Sequence, residues 1–231
     1  MGSRSSHHHP EIRHRLRHPH PATTELILVR HGRTAANVLG VLQGTTDVPL
    51  DAHGLQQAQR AATRIAAEYD LDHIVSSPLS RARVTAEIIA QHHDVPFETH
   101  PDLQEMSFGR YEGLTWSEVR RIDPVLAARF EDIDDDDAEW PGGDQRRRFH
   151  DRVWGALESL IDEHPHKRVL VVAHGGVIGV LMAMLREQSP NDPVIYGLRN
   201  CSITHLEVGT DHTIVHRFDD VDHLADLVEI V

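Results

Sequence analysis

The sequence predicts an α/β fold: a three-layer sandwich with a mostly parallel central sheet, helices on both faces and a small helical cap insertion. Short runs of strand-forming residues alternate with segments that are apolar at helical spacing, and that alternation implies parallel strands joined by crossover helices. The 231 residues suit one domain with a substantial core. No internal repeat and no convincing domain boundary interrupts them.

Residues 1–24 are polar and hold His7, His8, His9, His14, His18 and His20. Such a segment cannot bury a core and is expected to be a disordered tail. Histidine-rich tracts can ligate metals, but a solvated tail or tag remnant is the preferred reading. A single domain is expected from Glu25 to the end of the chain. Residues 26–29 form an apolar run rich in strand formers, followed at once by Arg30-His31-Gly32. A loop is expected next, through Gly44, Asp47 and Pro49.

In 54–69, Leu55, Ala58, Ala62, Ile65 and Ala66 recur at helical spacing. Residues 73–76 read as a strand, and Pro78 opens a helix through about residue 93, where proline suits a first turn. Thr115-Trp116-Ser117-Glu118 has capping-box form before another helix. The acidic run 131–137 reads as a solvated loop, and a long helix is expected over 144–163. Residues 168–173 are the third strong strand and 175–185 the helix after it. Two late strands, about 202–208 and 213–218, are arranged as a hairpin across Gly209. The stretch 110–145 looks like a helical insertion that caps the site.

Composition excludes several functions. No apolar run approaches the ~18 residues of a membrane-spanning helix, so no membrane partner is expected. Cys201 is the single cysteine, which rules out an internal disulfide and cysteine-based structural zinc sites. A reducing, cytoplasmic setting is the simplest reading, and residues 1–24 lack the apolar stretch of a secretory signal. The formal net charge of −13 argues against nucleic acid, whose binding needs a basic face. A phosphate ester would also be repelled by the global field, so its binding must come from locally clustered cations.

In open α/β sheets, ligands bind beyond the carboxyl ends of the strands. Three strands here end in chemically loaded residues: Arg30-His31-Gly32, then Ser76-Ser77-Pro78 with Arg81 shortly after, then His174-Gly175-Gly176. A histidine at one strand end is usually a hydrogen-bonded structural residue, a lone helix arginine a solvated charge, and a glycine after a strand a turn device. If the three strands are neighbours, two histidines and two arginines converge on one crevice. Phosphoryl transfer needs positioning and stabilisation of the charge on the equatorial oxygens. Arginine meets that need with a planar fork. A histidine with one unprotonated nitrogen can be the nucleophile, and nearby arginines lower its pKa. Gly32 would let the backbone approach the ligand and could fix the tautomer through a carbonyl. Glu105 is the candidate proton donor for the leaving oxygen.

Leu28-Val29-Arg30-His31-Gly32-Arg33-Thr34, with Asn37, resembles the signature of the histidine phosphatase superfamily, also called the phosphoglycerate mutase-like family. The resemblance continues through essentially the whole ordered chain. The stretch from Gln43-Gly44 to Leu50 resembles the family's phosphate-side loop, and Ser76-Ser77-Pro78-Leu79-Ser80-Arg81-Ala82 its second arginine motif. Leu103-Gln104-Glu105, with Gly109 and Glu112-Gly113-Leu114, resembles the acid motif. Val172-Ala173-His174-Gly175-Gly176 resembles the second-histidine motif, and Asn200-Cys201-Ser202-Ile203 a late strand of the phosphatase branch. The resemblance implies that His31 is phosphorylated and that Arg30, Arg81 and His174 bind the phosphoryl group. It implies that Glu105 protonates the leaving group and then activates water, with Asn37, Gln43, Gly44 and Gly175 as further phosphate contacts. It implies no metal and no cofactor.

The residues and the resemblance together predict a metal-independent phosphomonoesterase acting on a small phosphorylated metabolite. A bisphosphoglycerate-dependent phosphoglycerate mutase is the alternative. Mutases of the family carry a longer insertion after the acid, with basic residues for a second phosphate; here that stretch is short and holds the acidic run 134–137. Trp140-Pro141-Gly142-Gly143-Asp144 resembles the phosphatase branch's Pro-Gly-Gly-Glu-Ser segment, departing from it at Asp144-Gln145. Arg110, Arg120, Arg121 and 146–148 could serve a second phosphate, although 146–148 reads better as an exposed helix face. A non-catalytic phospho-ligand or protein-binding module is the alternative from another class, but Arg30, His31, Arg81, Glu105 and His174 are all retained. Trp116 and Trp154 read as packing, while Trp140 and Tyr111 near the cap could line the pocket. His205, His212 and His216 show no coherent ligand spacing. A homodimer through exposed edge strands is left open.

Overall fold

The structure, a computed structural model, describes residues 11–13, 23–192, 197–209 and 212–227. Its strands are β1 (Glu11–Arg13), β2 (Thr24–Arg30), β3 (His73–Ser76), β4 (Phe97–Thr99), β5 (Arg168–Ala173), β6 (Ile203–Val208) and β7 (His212–Asp220). Its α-helices are α1 (Ala35–Leu39), α2 (Ala52–Glu68), α3 (Ser80–Ala90), α4 (Trp116–Ile122), α5 (Pro124–Glu131), α6 (Arg146–Glu163) and α7 (Gly175–Leu185).

The strands form one sheet in the order β1-β7-β6-β2-β5-β3-β4. The β2–β5, β5–β3 and β3–β4 pairings are parallel, while β6 joins β2, and β7 joins β6, antiparallel. Register sets where the strands end. Arg30 lies opposite Ala173, and Ser76 opposite Val172, so three neighbouring strands end at one edge of the sheet. Backbone hydrogen bonds carry that alignment past the strand ends: His31 N–H donates to Ala173 O at 3.0 Å and Ser77 N–H to Val172 O at 2.9 Å.

The central strands are apolar on both faces because helices cover both. Ile27, Val29, Ile74, Leu170 and Val172 pack with Ala58, Ala62 and Ile65 of α2 and with Ala86 and Ile89 of α3. Leu26, Leu28, Val169 and Val171 pack on the other face with Val153, Leu157 and Ile161 of α6 and Val177 and Leu181 of α7. Full burial of such side chains contributes about 1.5–3 kcal/mol each. α7 is buried nearly all round, as a helix apolar on every side must be. Among the described residues no helix is long and apolar enough to cross a membrane.

Several boundaries differ from the sequence expectation. Most of the 1–24 tail lies outside the described residues, but Glu11–Arg13 forms an edge strand paired antiparallel with β7, and Thr24 is fully buried in β2. Helix α1 lies in the stretch read as a loop. Thr34 and Asn37 form its capping box, and Gly40, at φ 64°, ends it; five residues are too few to show a helical period. β4 is a short exposed edge. In α2, Ala58, Ala62 and Ile65 are buried as the periodicity predicts, whereas Leu55 and Ala66 face solvent. α6 begins at Arg146 rather than residue 144, because the Asp144 carboxylate is committed elsewhere.

His150 of α6 and His205 of β6 are held neutral, each with its pKa lowered to about 4, chiefly by burial. The unfolded chain gains these protons near pH 6.5. Below that pH the unfolded state therefore binds more protons than the folded one, and stability falls as pH falls. The melting temperature should hold between pH 8 and 7, then drop progressively from about pH 6.5 toward pH 4. His150→Leu should flatten part of that slope, as followed by circular dichroism.

Candidate active site

The aligned ends of β2, β5 and β3 open into a cavity of about 480 Å³. Arg30, His31, Asn37, Gln43, Gly44, Arg81, Glu105 and Gly175 all line it. His174, the remaining expected site residue, is not on the cavity surface; it is fully buried, with its ring centroid 5.1 Å from that of His31.

His31 is buried, and its Nδ1 lies 2.7 Å from Gly32 O. A carbonyl accepts only, so Nδ1 carries the proton and a neutral ring leaves Nε2 with its lone pair. Burial, then the charges of Arg30 and Arg81, press the His31 pKa well below the ordinary histidine value. His174 is pressed down in the same way, by burial first and Arg81 next. Its Nε2 lies 2.7 Å from Ser77 Oγ, and its buried Nδ1 has no partner among the described residues.

Arg81, on the first turn of α3, is almost fully buried and donates to Thr46 O at 3.0 Å and Gly44 O at 2.7 Å. It thus ties the 43–47 loop to the sheet edge. Arg30 donates from Nη1 to Leu198 O. The Nε of each arginine is buried without a partner among the described residues. Two guanidinium groups with N–H to spare, beside two neutral imidazoles, form a compact anion receptor. Asn37 Oδ1 accepts from Thr34 N, Thr34 Oγ1 and Asn200 Nδ2, so its own amide N–H groups are what it can offer a ligand.

Glu105 sits on the loop after a 3-10 turn, Pro101–Leu103. Its Oε2 accepts from Gly176 N at 3.0 Å and its Oε1 from Met106 N at 2.9 Å. The first contact places the Glu105 carboxyl at the amino terminus of α7, beside the cavity. A Cβ on Gly176 would stand 2.2 Å from Glu105 Oε1. A side chain at the third residue of His174-Gly175-Gly176 would therefore push the Glu105 carboxyl out of this place.

The Gly32 carbonyl sets the His31 tautomer, and a Cβ on Gly32 would meet Gly54 O at 2.5 Å, so its backbone approaches the first turn of α2 closely. Arg146, read with 147–148 as an exposed helix face, is buried and lines the cavity. Its Nη1 donates to Asp132 O at 2.7 Å and Asp135 O at 3.1 Å, and its guanidinium lies 4.9 Å from the centroid of the Phe130 ring. Arg147 and Arg148 are exposed. Trp116, read as packing, lines the cavity with Phe130 and Trp140, whereas Tyr111 does not.

Positioning groups with no role assigned from the sequence hold the site together: Glu112, Asp144 and Asn200 stand in motifs without an assigned function, and Arg152 stands in none. Glu112 Oε1 accepts from Thr45 N at 2.9 Å and Phe108 N at 3.1 Å, and Oε2 accepts from Thr46 N at 2.8 Å. That carboxylate joins the 43–47 loop to the Glu105 loop. Gly44, at φ 55°, leaves room for it: a Cβ would stand 2.1 Å from Glu112 Oε1. Arg152 of α6 donates to Asp102 O and Gln104 O at 2.8 Å each, bracing the Glu105 loop. Asp144 Oδ2 accepts from Ser107 N at 2.9 Å. Asn200 donates to His31 O at 3.0 Å.

A separate group, His73, Glu98 and His164, has three candidate metal-ligand atoms within 4.8 Å of one another. His73 opens β3, Glu98 lies in β4 and His164 follows α6, away from the strand ends that form the cavity, and His73 Nε2 already pairs with Glu98 Oε1 at 2.9 Å.

Residues 26–221 match the family described as the histidine phosphatase superfamily (branch 1). Phosphoglycerate mutase-like protein 4 of Arabidopsis thaliana is 35% identical over 204 residues, 87% of each chain. The metal-independent phosphoserine phosphatase of the same plant is 33% identical, over 87% of this chain and 84% of its own length. A crystal structure of phosphoserine phosphatase from Entamoeba histolytica, in complex with phosphoserine, is similar with a TM-score of 0.77 at 31% identity, covering 87% of this chain and 99% of that one.

The Gly176 contact is directly testable. Gly176→Ala should displace Glu105 and lower kcat on an alkyl phosphate ester by about 100-fold, the low end of a general-acid contribution. Thermal melting of the purified variant should show that the fold persists.

Proposed function

This chain belongs to branch 1 of the histidine phosphatase superfamily, and its phosphatase-named relatives support a phosphatase; we propose that it hydrolyses the phosphate monoester of a small metabolite, without a metal, through a phosphohistidine at His31. The observation that carries this reading is the His31 imidazole. It is buried beside Arg30 and Arg81, with Nδ1 bound to Gly32 O at 2.7 Å, so Nε2 is an unprotonated nucleophile at the cavity wall.

Arg30, Arg81 and the Asn37 amide receive the phosphoryl oxygens, together with the Gln43-Gly44 loop and Gly175 at the head of α7. Ser77 Oγ accepts from Leu79 N at 3.3 Å and gives its own proton to His174 Nε2, leaving Nδ1–H to donate to the same oxygens. Nε2 of His31 attacks phosphorus. The N–P bond forms as the ester P–O bond breaks, and Glu105 gives its proton to the departing oxygen. Glu105 then takes a proton from water, whose oxygen attacks phosphorus. The N–P bond breaks, and inorganic phosphate and free His31 are restored.

A mutase needs a second cationic cluster for its second phosphate. Of the arginines that could serve a second phosphate, Arg146 lines the cavity but is bonded to the carbonyls of Phe130, Asp132 and Asp135, and Arg110, Arg120, Arg121, Arg147 and Arg148 do not line it. Arg120 pairs with Glu131 and Arg147 with Asp137. These placements support hydrolysis over interconversion.

His31→Ala should reduce phosphate release to background, and rapid alkaline quenching of wild-type enzyme with labelled substrate should trap acid-labile phosphate on His31. Full activity in His31→Ala would refute the nucleophile. Efficient bisphosphoglycerate-dependent interconversion of phosphoglycerates would replace the phosphatase reading with a mutase. Glu105→Gln should cost about 10²–10⁴ in kcat on alkyl phosphates. The loss should be smaller on p-nitrophenyl phosphate, whose leaving group needs little protonation.

A further inference from the structure

The cavity has two chemically distinct ends. Beyond the anion receptor its wall is Val41, Leu42, Phe108, Trp116, Phe130 and Trp140. Trp140 is the centre of that wall. Phe130 stacks on it at 4.2 Å between ring centroids, and Phe108 and Trp116 meet it edge-on at 5.2 and 6.1 Å. Trp140 is almost fully buried, whereas Val41, Leu42, Phe108, Trp116 and Phe130 keep part of their surface open. Flat, rigid apolar surface of this kind favours a flat apolar ligand.

The same end offers no ready partner to a carboxylate. Arg30 and Arg81 stand at the phosphoryl end. Arg146 is the other lining cation among the described residues, and it is committed to the carbonyls of Phe130, Asp132 and Asp135 and to the face of Phe130. Asp136 adds negative charge nearby, accepting from Asn191 Nδ2 at 2.8 Å. A carboxylate placed here would lose its hydration and find the Arg146 N–H groups already bonded to carbonyls, with Asp136 nearby.

Besides Arg30 Nε, Arg81 Nε and Gln43 Oε1, two buried polar atoms on lining residues have no partner among the described residues: Trp140 Nε1 and Asn191 Oδ1. Asn191 Nδ2 donates to both Ile133 O and Asp136 Oδ1, which identifies Oδ1 as an acceptor. The indole N–H is a donor only. Each is a hydrogen-bonding group on a lining residue left without a partner among the described residues.

Resting on the phosphomonoesterase reading, we infer that the preferred leaving group is an uncharged alcohol bearing an aryl or heteroaryl ring, seated against Trp116, Phe130 and Trp140, and not a carboxylate-bearing alcohol. The preference is tested on wild-type enzyme with 2-phenylethyl phosphate, ethyl phosphate, O-phosphoserine and 3-phosphoglycerate. All four are esters of primary alcohols, so binding rather than leaving-group chemistry separates them, and 3-phosphoglycerate supplies a second carboxylated ester. kcat/KM for 2-phenylethyl phosphate should exceed that for each carboxylated ester by about 100-fold or more, and that for ethyl phosphate by at least about tenfold. Phe130→Ala should raise KM for 2-phenylethyl phosphate about tenfold, with a smaller change in kcat. A carboxylated ester turned over as well as, or better than, 2-phenylethyl phosphate would overturn this inference while leaving the phosphatase intact. Failure to hydrolyse any of the four, or p-nitrophenyl phosphate, would overturn the phosphatase reading itself.

Discussion

Two imidazoles and two guanidinium groups share one desolvated corner of this molecule, and the rest of the site is arranged around keeping them there. Burial presses both histidines toward the neutral form, and the neighbouring arginines press in the same direction. A neutral His31 whose Nδ1 is bound to Gly32 O has its Nε2 lone pair available without an external base. The arginines gain from the arrangement too, because an arriving phosphoryl group supplies the negative charge that their buried Nε atoms lack. The parallel register of β2, β5 and β3 makes the corner possible, since it ends three strands at the same height.

Around that corner the loops are held by carboxylates and arginines whose partners are mostly backbone groups. Glu112 gathers amides from Thr45, Thr46 and Phe108, and Arg152 gathers carbonyls from Asp102 and Gln104. Such contacts fix loop conformation whatever the side chains of the loop are. Glycines then serve as clearance: Gly44 for Glu112, Gly176 for Glu105 and Gly32 for Gly54. Cys201, at φ 53°, donates its N–H to Arg30 O at 2.9 Å, and Asn200 binds His31 O. A non-glycine residue persists in that conformation where surrounding contacts over-determine it. The histidine loop is therefore held from its far side as well.

The charge problem is solved locally. A chain of net charge −13 repels phosphate esters at long range, and screening over about 8–10 Å removes most of that repulsion in ordinary salt. Inside the cavity, Arg30 and Arg81 act at low dielectric, where their attraction is strongest. The acidic residues 132–137 are mostly exposed, on the outer side of the segment whose Phe130 and Trp140 line the cavity. Arg146 anchors that segment to α6 through carbonyls of Phe130, Asp132 and Asp135. The apolar wall and its acidic exterior are thus parts of one folded unit.

The sequence by itself determined the alternation of strands and helices, because a buried strand and a helix face carry periods that survive in one dimension. It also marked the reactive residues, Arg30, His31, Arg81, Glu105 and His174, since strand ends and short motifs are local. Only the tertiary structure decided what is distant along the chain. Glu112 reaches Thr45 across 67 residues and Asn200 reaches His31 across 169, and no local pattern records such pairs. The structure also separated Arg146 from its neighbours, burying it while Arg147 and Arg148 stay in solvent, because one turn of helix points three consecutive side chains in different directions. It also brought Trp116, Phe130 and Trp140, from separate segments, to one wall. Motif residues meet along a strand edge, but a leaving-group pocket is made by packing three separate segments together.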